Sequence, residues 1–246
     1  MISVCMATYN GGEYVYTQLN SILKQLGRND ELIISDDGST DNTINIIEKY
    51  NDPRIKLIRH DRGWLDPKTP LLSRVKKNFE EAIRLATGEF IFLSDQDDIW
   101  LPGRVEECLA EFKNGFDLIV CDCIVTDKNK ILFSSYYEII KPSSNILRTL
   151  YKSSFHGCCL AFSRKMNHYI LPMPNENIGH DIWIGLQCII NGKVKFIDKQ
   201  LVNYRRHDDT VTQCGFKSTN KLKDKIIYRL AILTALCKRK YISCLK

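Results

Sequence analysis

No apolar stretch in this chain of 246 residues approaches the roughly 18 needed to cross a bilayer; the one nearest the C-terminus is enclosed between Arg229 and Lys238. A transmembrane helix is excluded on that ground. Glycine-rich phosphate loops are missing too. The first strand-to-helix turn reads Thr8-Tyr9-Asn10-Gly11-Gly12-Glu13, which is neither G-x-G-x-x-G nor G-x-x-x-x-G-K-[ST], so dinucleotide redox chemistry and P-loop phosphoryl transfer lose their support. The absence of G-x-S-x-G argues against a nucleophile-elbow hydrolase. Without a Gly/Ser linker, an internal repeat or a low-complexity segment, no boundary falls inside the first 215 residues.

Cysteine is not scarce, at ten residues, but no signal-peptide pattern opens the sequence and reduced thiols in a cytoplasm are expected. Cys121 and Cys123 have no second pair at zinc-ribbon spacing. Cys158-Cys159, after His156-Gly157, reads as a pair of small buried hydrophobes rather than a Cys/His nucleophile. Charge is distributed unevenly. From Phe216 onward nine Lys/Arg face one acid, Asp224, while the first 215 residues carry a net charge of −2. A near-neutral body with a basic tail points to an anionic partner for the tail alone.

What is present is a regular alternation. Ile2 to Ala7, Glu31 to Ser35, Ile55 to Arg59, Phe90 to Leu93 and Leu118 to Cys121 read as buried strands. Helical spacing fills the intervals at Tyr14 to Leu26, Thr43 to Tyr50, Val75 to Ala86 and Pro102 to Lys113. This predicts an α/β fold with a mostly parallel central sheet flanked by helices, whose ligand lies at the carboxyl ends of the strands. Beyond Asp127 the pattern weakens to short strands at Cys158 to Ser163, Val194 to Ile197 and Leu201 to Arg205, around a helix from Asp181 to Ile190.

The acid-rich turns fall at those strand ends. Asp36-Asp37 precedes Gly-Ser-Thr-Asp, and adjacent carboxylates repel unless donors or a ligand offset the charge; a capped helix start is the other reading. Asp95-Gln96-Asp97-Asp98 places three acids within four residues, a set of hard oxygen ligands suited to Mg²⁺ or Mn²⁺, or else a solvated loop.

Met6-Ala7-Thr8-Tyr9-Asn10-Gly11, Ile34-Ser35-Asp36-Asp37-Gly38-Ser39-Thr40-Asp41, Ser94-Asp95-Gln96-Asp97-Asp98-Ile99-Trp100, His180-Asp181-Ile182-Trp183 and Tyr204-Arg205-Arg206-His207 together resemble the ordered motifs of family 2 glycosyltransferases, over residues 1 to about 215. Within that family the wording is similar to bacterial rhamnosyltransferase-like enzymes of surface polysaccharide assembly (O-antigen or capsule). The resemblance implies a GT-A fold, a nucleotide-sugar donor, Mn²⁺ or Mg²⁺, and inversion at the anomeric carbon.

Position by position, the resemblance sets Thr8, Tyr9 and Asn10 against the nucleoside and has Asp36 or Asp37 accept from a pyrimidine N3–H. It puts Asp95 near ribose and diphosphate, makes Asp97 the principal metal ligand with Asp98 supporting either group, has His207 complete the metal site as in some relatives, with a core or surface histidine as its other reading, and gives Arg205 and Arg206 to the leaving diphosphate. Asp181 matches the catalytic base, the one group an inverting transfer needs to take the acceptor hydroxyl's proton; helix capping is its other reading. One departure is the long, bulky segment Arg62 to Pro70, which puts donor contacts from that region in doubt; Arg74 and Lys76 beyond it read as phosphate contacts or as exposed residues at a helix start.

The division expected is a catalytic domain over 1–215 and a basic amphipathic helical segment over 216–246, with Leu222, Ile226, Ile227, Leu230, Leu233 and Leu236 at helical spacing. Such a helix lies in an anionic membrane surface or packs on the body. The family context implies a UDP- or dTDP-sugar donor, a lipid-diphosphate-linked saccharide acceptor, and a cytoplasmic, peripheral place at the inner face of the plasma membrane, with no nucleic acid. Two other readings share part of the pattern: a sugar-phosphate nucleotidyltransferase, and a non-catalytic nucleotide-sugar-binding or membrane-tethered partner protein.

Overall fold

The computed structural model describes residues 1–61, 63–127, 130–207 and 221–244, with side chains through 239. The start of the basic segment at Phe216, Lys217, Lys240, Lys246 and the Arg62 of the long loop lie outside this description.

The first half is built on strands β1 (Ile2–Thr8), β2 (Glu31–Asp36), β3 (Ile55–Arg59) and β4 (Phe90–Asp95). They pair in parallel in the order β3-β2-β1-β4, so Thr8, Asp36 and Asp95 all end on the same edge of the sheet. Leu32, Ile33 and Ile34 are wholly buried in succession, as an inner strand covered on both faces requires. Helices α1 (Val15–Leu23), α2 (Thr43–Lys49) and α3 (Leu71–Leu85) make the crossovers. α3 begins four residues earlier than periodicity predicts, because Pro70 supplies the fixed φ of a helix entry.

The second half turns the sheet mixed. β5 (Ile99–Trp100) and α4 (Arg104–Lys113) lead to β6 (Leu118–Asp127), with β7 (Lys130–Phe133) folded back on it. After α5 (Ile146–Tyr151), a single turn of 3₁₀ helix at Gly157–Cys159 precedes β8 (Leu160–Ser163), so Cys158 lies within a turn rather than beginning a strand. β8 runs antiparallel between β4 and β6. Short α6 (Asn167–Ile170) and α7 (His180–Asn191) follow, then β9 (Val194–Arg206), one continuous strand where the sequence reads as two. The dimension that hides this continuity is a register shift opposite Asp122.

Asp122 explains that shift. It is fully buried and accepts from Ser135 Oγ (2.6 Å), Tyr136 N (2.9 Å), Tyr137 N (3.1 Å) and Gln200 Nε2 (2.7 Å), so its charge is met by donors from both irregular segments. The C-terminal helix α8 (Leu222–Cys244) turns Ile232 and Ala235, both buried, onto the body. Of the apolar series read at helical spacing, Leu236 packs against the core, and Leu222, Ile226, Ile227, Leu230 and Leu233 are exposed. No helix among the described residues is long and apolar enough to cross a membrane.

Asp122→Ala removes the acceptor shared by the backbone N–H groups of Cys123, Tyr136 and Tyr137 and by two side-chain donors, and is expected to remove about 3 kcal/mol of unfolding free energy in urea titration.

Candidate functional site

Two acid clusters occupy the carboxyl edge of the parallel strands. In the first, Asp36 is 2% exposed and every lone-pair site of its carboxylate is filled: Oδ1 accepts from Thr8 Oγ1 (2.9 Å) and Ser39 Oγ (2.5 Å), Oδ2 from Gly38 N (3.0 Å) and Ser39 N (2.7 Å). Asp36 therefore closes its own turn, and the buried Thr8 spends its hydroxyl on the same carboxylate. Asp37 is differently placed. Its Oδ1 accepts from Trp64 Nε1 (2.5 Å) and Arg74 Nη2 (2.9 Å), and its Oδ2 from Arg74 Nε (3.0 Å), which leaves one acceptor site on Oδ2.

These partners were not foreseen. Arg74 forms an ion pair with Asp37 instead of waiting for phosphate, and Trp64, from the long loop, stacks on His60 with ring centroids 3.9 Å apart. Lys76 is neither exposed nor a phosphate contact: it is 0% exposed, donates to the Glu176 carbonyl, and burial lowers its ammonium to about 8. The opening loop is held by side chains. Asn10 takes a left-handed φ of 48°, its amide donates to Ser39 Oγ (2.9 Å), and its Oδ1 accepts from Thr40 N (2.8 Å). Tyr9 is 43% exposed, and its backbone is clasped at both ends by the Gln96 amide, at 2.9 and 3.0 Å. A Cβ on Gly11 would stand 2.2 Å from Gln96 Oε1, so this clasp needs a glycine there.

The second cluster gathers Asp95, Asp97 and Asp98. Burial first, and then the neighbouring Asp97 charge, pushes the Asp95 carboxyl up to about 7; Asp181 across the site adds to the effect. Asp98 is fully buried and held well above the usual carboxylate range by burial and by Asp97 and Asp95. Asp98 Oδ2 has no hydrogen-bond partner, and Asp95, Asp98 and Cys158 each offer a ligand atom within 4.8 Å of one another. Two close carboxylates, one with an unsatisfied oxygen, offer oxygen ligands that a divalent cation fits.

The rest of the site is brought in from β9. His207 Nε2 lies 2.8 Å from Asp97 Oδ2, and its ring stacks on Tyr14, 4.6 Å between centroids. Arg205 Nε donates to the Asp97 carbonyl (2.5 Å), its backbone N–H to Asp98 Oδ1 (3.3 Å), and its guanidinium lies 5.1 Å over the Tyr14 ring. Arg205 thus braces the acidic loop. Arg206 is half-buried at the end of β9, where the pleat sends consecutive side chains to opposite faces.

Asp181 sits in the first turn of α7, half-buried, with Oδ1 accepting from Ile182 N (2.8 Å). Beside it His180 is buried against Phe79, with centroids 4.2 Å apart, and burial lowers its imidazole to about 4. It is neutral near pH 7 and fills space under the helix start. Of the residues singled out from sequence, the structure unites Asp95, Asp97, Arg205 and His207 in one cluster, with Asp181 facing it, and Thr8, Asn10 and Asp36 in the adjoining turn with Asp37 at its edge. Tyr14, Gln18, Trp64 and Gln96 were missed. Gln18, whose Nε2 donates to the Asp95 carbonyl (3.0 Å), carried one signal: a polar residue amid the buried positions of an amphipathic helix.

Solved structures share this architecture. Staphylococcus aureus TarS (residues 1–349, in complex with UDP-GlcNAc) superposes with a TM-score of 0.69 at 19% identity, covering 95% of this chain and 67% of that one. Glucosyl-3-phosphoglycerate synthase from Mycobacterium tuberculosis, in complex with Mn²⁺ and UDP, gives a TM-score of 0.58 at 17% identity, over 97% and 79% of the chains. These likenesses establish the GT-A-type fold. Among curated relatives, the UDP-Glc:alpha-D-GlcNAc-diphosphoundecaprenol beta-1,3-glucosyltransferase WfgD of Escherichia coli is 24% identical over 231 residues, 91% of this chain and 84% of that protein. The dTDP-rhamnosyl transferase RfbG of Shigella flexneri is 36% identical over 118 residues, 47% of this chain and 37% of that protein. The family described as glycosyl transferase family 2 matches residues 3–171, well over half of the sequence, and this chain belongs to that family.

Proposed function

We propose that this chain is an inverting glycosyltransferase that moves a sugar from a UDP- or dTDP-sugar to a saccharide acceptor carried on a lipid diphosphate, in cell-surface polysaccharide synthesis. The observation that carries the reading is the crowding of Asp95, Asp97 and Asp98, with His207 on Asp97, at the strand ends opposite Asp181. Relatives named for UDP-glucose and dTDP-rhamnose transfer, the former onto a diphosphoundecaprenol-linked sugar, support the donor and acceptor classes.

Residues 1–215 form the catalytic domain in this reading. Asp97 and His207 hold Mn²⁺ or Mg²⁺, with Asp95 beside the ribose and diphosphate; the ion, when bound, neutralises charge on the departing nucleoside diphosphate. The single acceptor site left on Asp37 favours it over the saturated Asp36 for the pyrimidine N3–H. Thr8 and Asn10 shape the nucleoside pocket through the turn they hold, and the exposed Tyr9 ring lies at its mouth. Arg205 keeps the Asp97 carbonyl in place, and Arg206 supplies positive charge for the diphosphate. Asp181 takes the acceptor hydroxyl's proton as that oxygen attacks the anomeric carbon from the face opposite the leaving group; no covalent intermediate and no separate general acid are needed.

The segment from 216 onward is assigned to the membrane surface. Leu222, Ile226, Ile227, Leu230 and Leu233 stay exposed on α8 after its other face has packed, with lysines among them, as an interfacial helix requires. Leu147 and Tyr151 of α5, each 76% exposed, lie on the element that α8 crosses.

In a panel of UDP- and dTDP-sugars, Mn²⁺-dependent release of nucleoside diphosphate from one donor is expected. Asp97→Ala should lower it by about two to three orders of magnitude, the several kcal/mol a catalytic cation supplies. Pyrophosphate release from a nucleoside triphosphate and sugar phosphate would instead identify a nucleotidyltransferase. Asp181→Asn should bind donor as the wild type does yet transfer about 10² to 10⁴-fold more slowly; wild-type turnover would refute the base assignment. The triple variant Ile226→Gln, Leu230→Gln, Leu233→Gln should retain the fold and bind anionic liposomes at least about tenfold more weakly in co-sedimentation, and unchanged binding would count against the membrane assignment.

A further inference from the structure

The C-terminal helix reaches the acceptor side of the site. From α8, Tyr228 Oη accepts a hydrogen bond from Gly179 N (3.1 Å), Lys238 Nζ pairs with Glu176 Oε1 (2.6 Å), and Arg239 donates to the carbonyls of Leu171 (2.9 Å) and Pro172. All four partners belong to the segment 171–179, which runs directly into α7 and Asp181. The segment is tied from its other side by α3, through Lys76 on the Glu176 carbonyl, Ser73 Oγ on Asn177 Oδ1 (3.2 Å), and Glu80 Oε1 accepting from Met173 N (3.1 Å).

Tyr228 is the tie that meets the chemistry. A Cβ built on Gly179 would stand 2.3 Å from Asp181 Oδ1 and 3.6 Å from Tyr228 Oη. Both oxygens flank Gly179, and a side chain there would displace the carboxylate first. The phenol oxygen accepts from Gly179 N and the Asp181 carboxylate from Ile182 N (2.8 Å), so the two groups are coupled through the start of α7 rather than by a hydrogen bond to each other. Burial and the Asp181 charge raise the Tyr228 hydroxyl to about 12, so it stays protonated at neutral pH.

We propose that Tyr228 is a positioning residue for the general base: its hydroxyl oxygen takes the Gly179 amide and fixes the entry into α7, which sets the Asp181 carboxylate for removing the acceptor's proton, so that α8 is part of the acceptor half of the site. This rests on the reading of Asp181 as the base of a sugar transfer.

The test compares Tyr228→Phe with the wild type in the full chain, with Mn²⁺ and the donor that the panel identifies. The phenylalanine keeps the ring and removes only the hydroxyl. Expected are a melting temperature within a few degrees of wild type, donor KM and nucleoside diphosphate Kd within about twofold, and kcat for transfer lowered about five- to tenfold, the worth of one hydrogen bond at the helix start. Lys238→Ala, which loosens the same segment without reaching Asp181, is the comparison. A Tyr228→Phe enzyme with wild-type kcat would overturn the assignment, as would a Lys238→Ala enzyme slowed to the same degree, since the effect would then belong to the segment's anchoring. A wild type that binds nucleotide but transfers no sugar to a lipid-diphosphate acceptor would overturn the proposed function, and this assignment with it.

Discussion

Like charges held close in a poorly solvated place set the terms for everything else in this molecule. Asp95, Asp97 and Asp98 follow one another at the end of β4, where burial and mutual repulsion raise two of the three. No chain would keep that arrangement without a scaffold, and the scaffold is elaborate: Gln96 clasps the Tyr9 backbone, Gln18 fixes the Asp95 carbonyl, Arg205 braces the Asp97 carbonyl, and His207 meets Asp97 from the end of β9. These residues come from three separate places: the turn after β4, helix α1 and the end of β9. The mixed half of the sheet has its purpose here, since β9 must run its full length beside β6 to deliver Arg205 and His207 to the carboxyl edge.

The two aspartates of the first cluster show how adjacent identical residues acquire different work. Asp36 is consumed by three donors of its own turn and the Thr8 hydroxyl of β1, whereas Asp37 balances a guanidinium and an indole and keeps an acceptor site in reserve. Charge is neutralised in one case by backbone and hydroxyl dipoles and in the other by a full cation. That contrast separates a residue that shapes the pocket from one that remains available to a ligand.

Much of the fold was legible in the sequence. The alternation of apolar runs with helical periodicity located β1 to β4 and α1 to α3, because parallel strands covered on both faces must be continuously apolar. The acid pairs announced themselves by being costly. What escaped were features set by distant partners: the joining of two apparent strands into β9 depends on Asp122 meeting Ser135 and Gln200, and nothing local in either strand reveals it. Trp64 and Arg74 escaped for a similar reason, since their ion-pair and indole contacts with Asp37 cross about thirty residues of chain. Helix α8 carries two apolar stripes, and only the shape of the body selects Ile232 and Ala235 for packing and leaves Leu230 and Leu233 exposed.

Helix α3 has a wider consequence. Its first turns carry Arg74 to Asp37 and Asn78 to the Thr8 carbonyl, while Ser73, Lys76 and Glu80 on the same helix grip the segment before Asp181. Donor recognition and acceptor activation are thus two ends of one rigid spar. Divergence among descendants of this chain is accordingly steered: loops remote from α3 can exchange one sugar or acceptor for another by small steps, whereas a change of nucleotide that reworks α3 must re-seat the base in the same event.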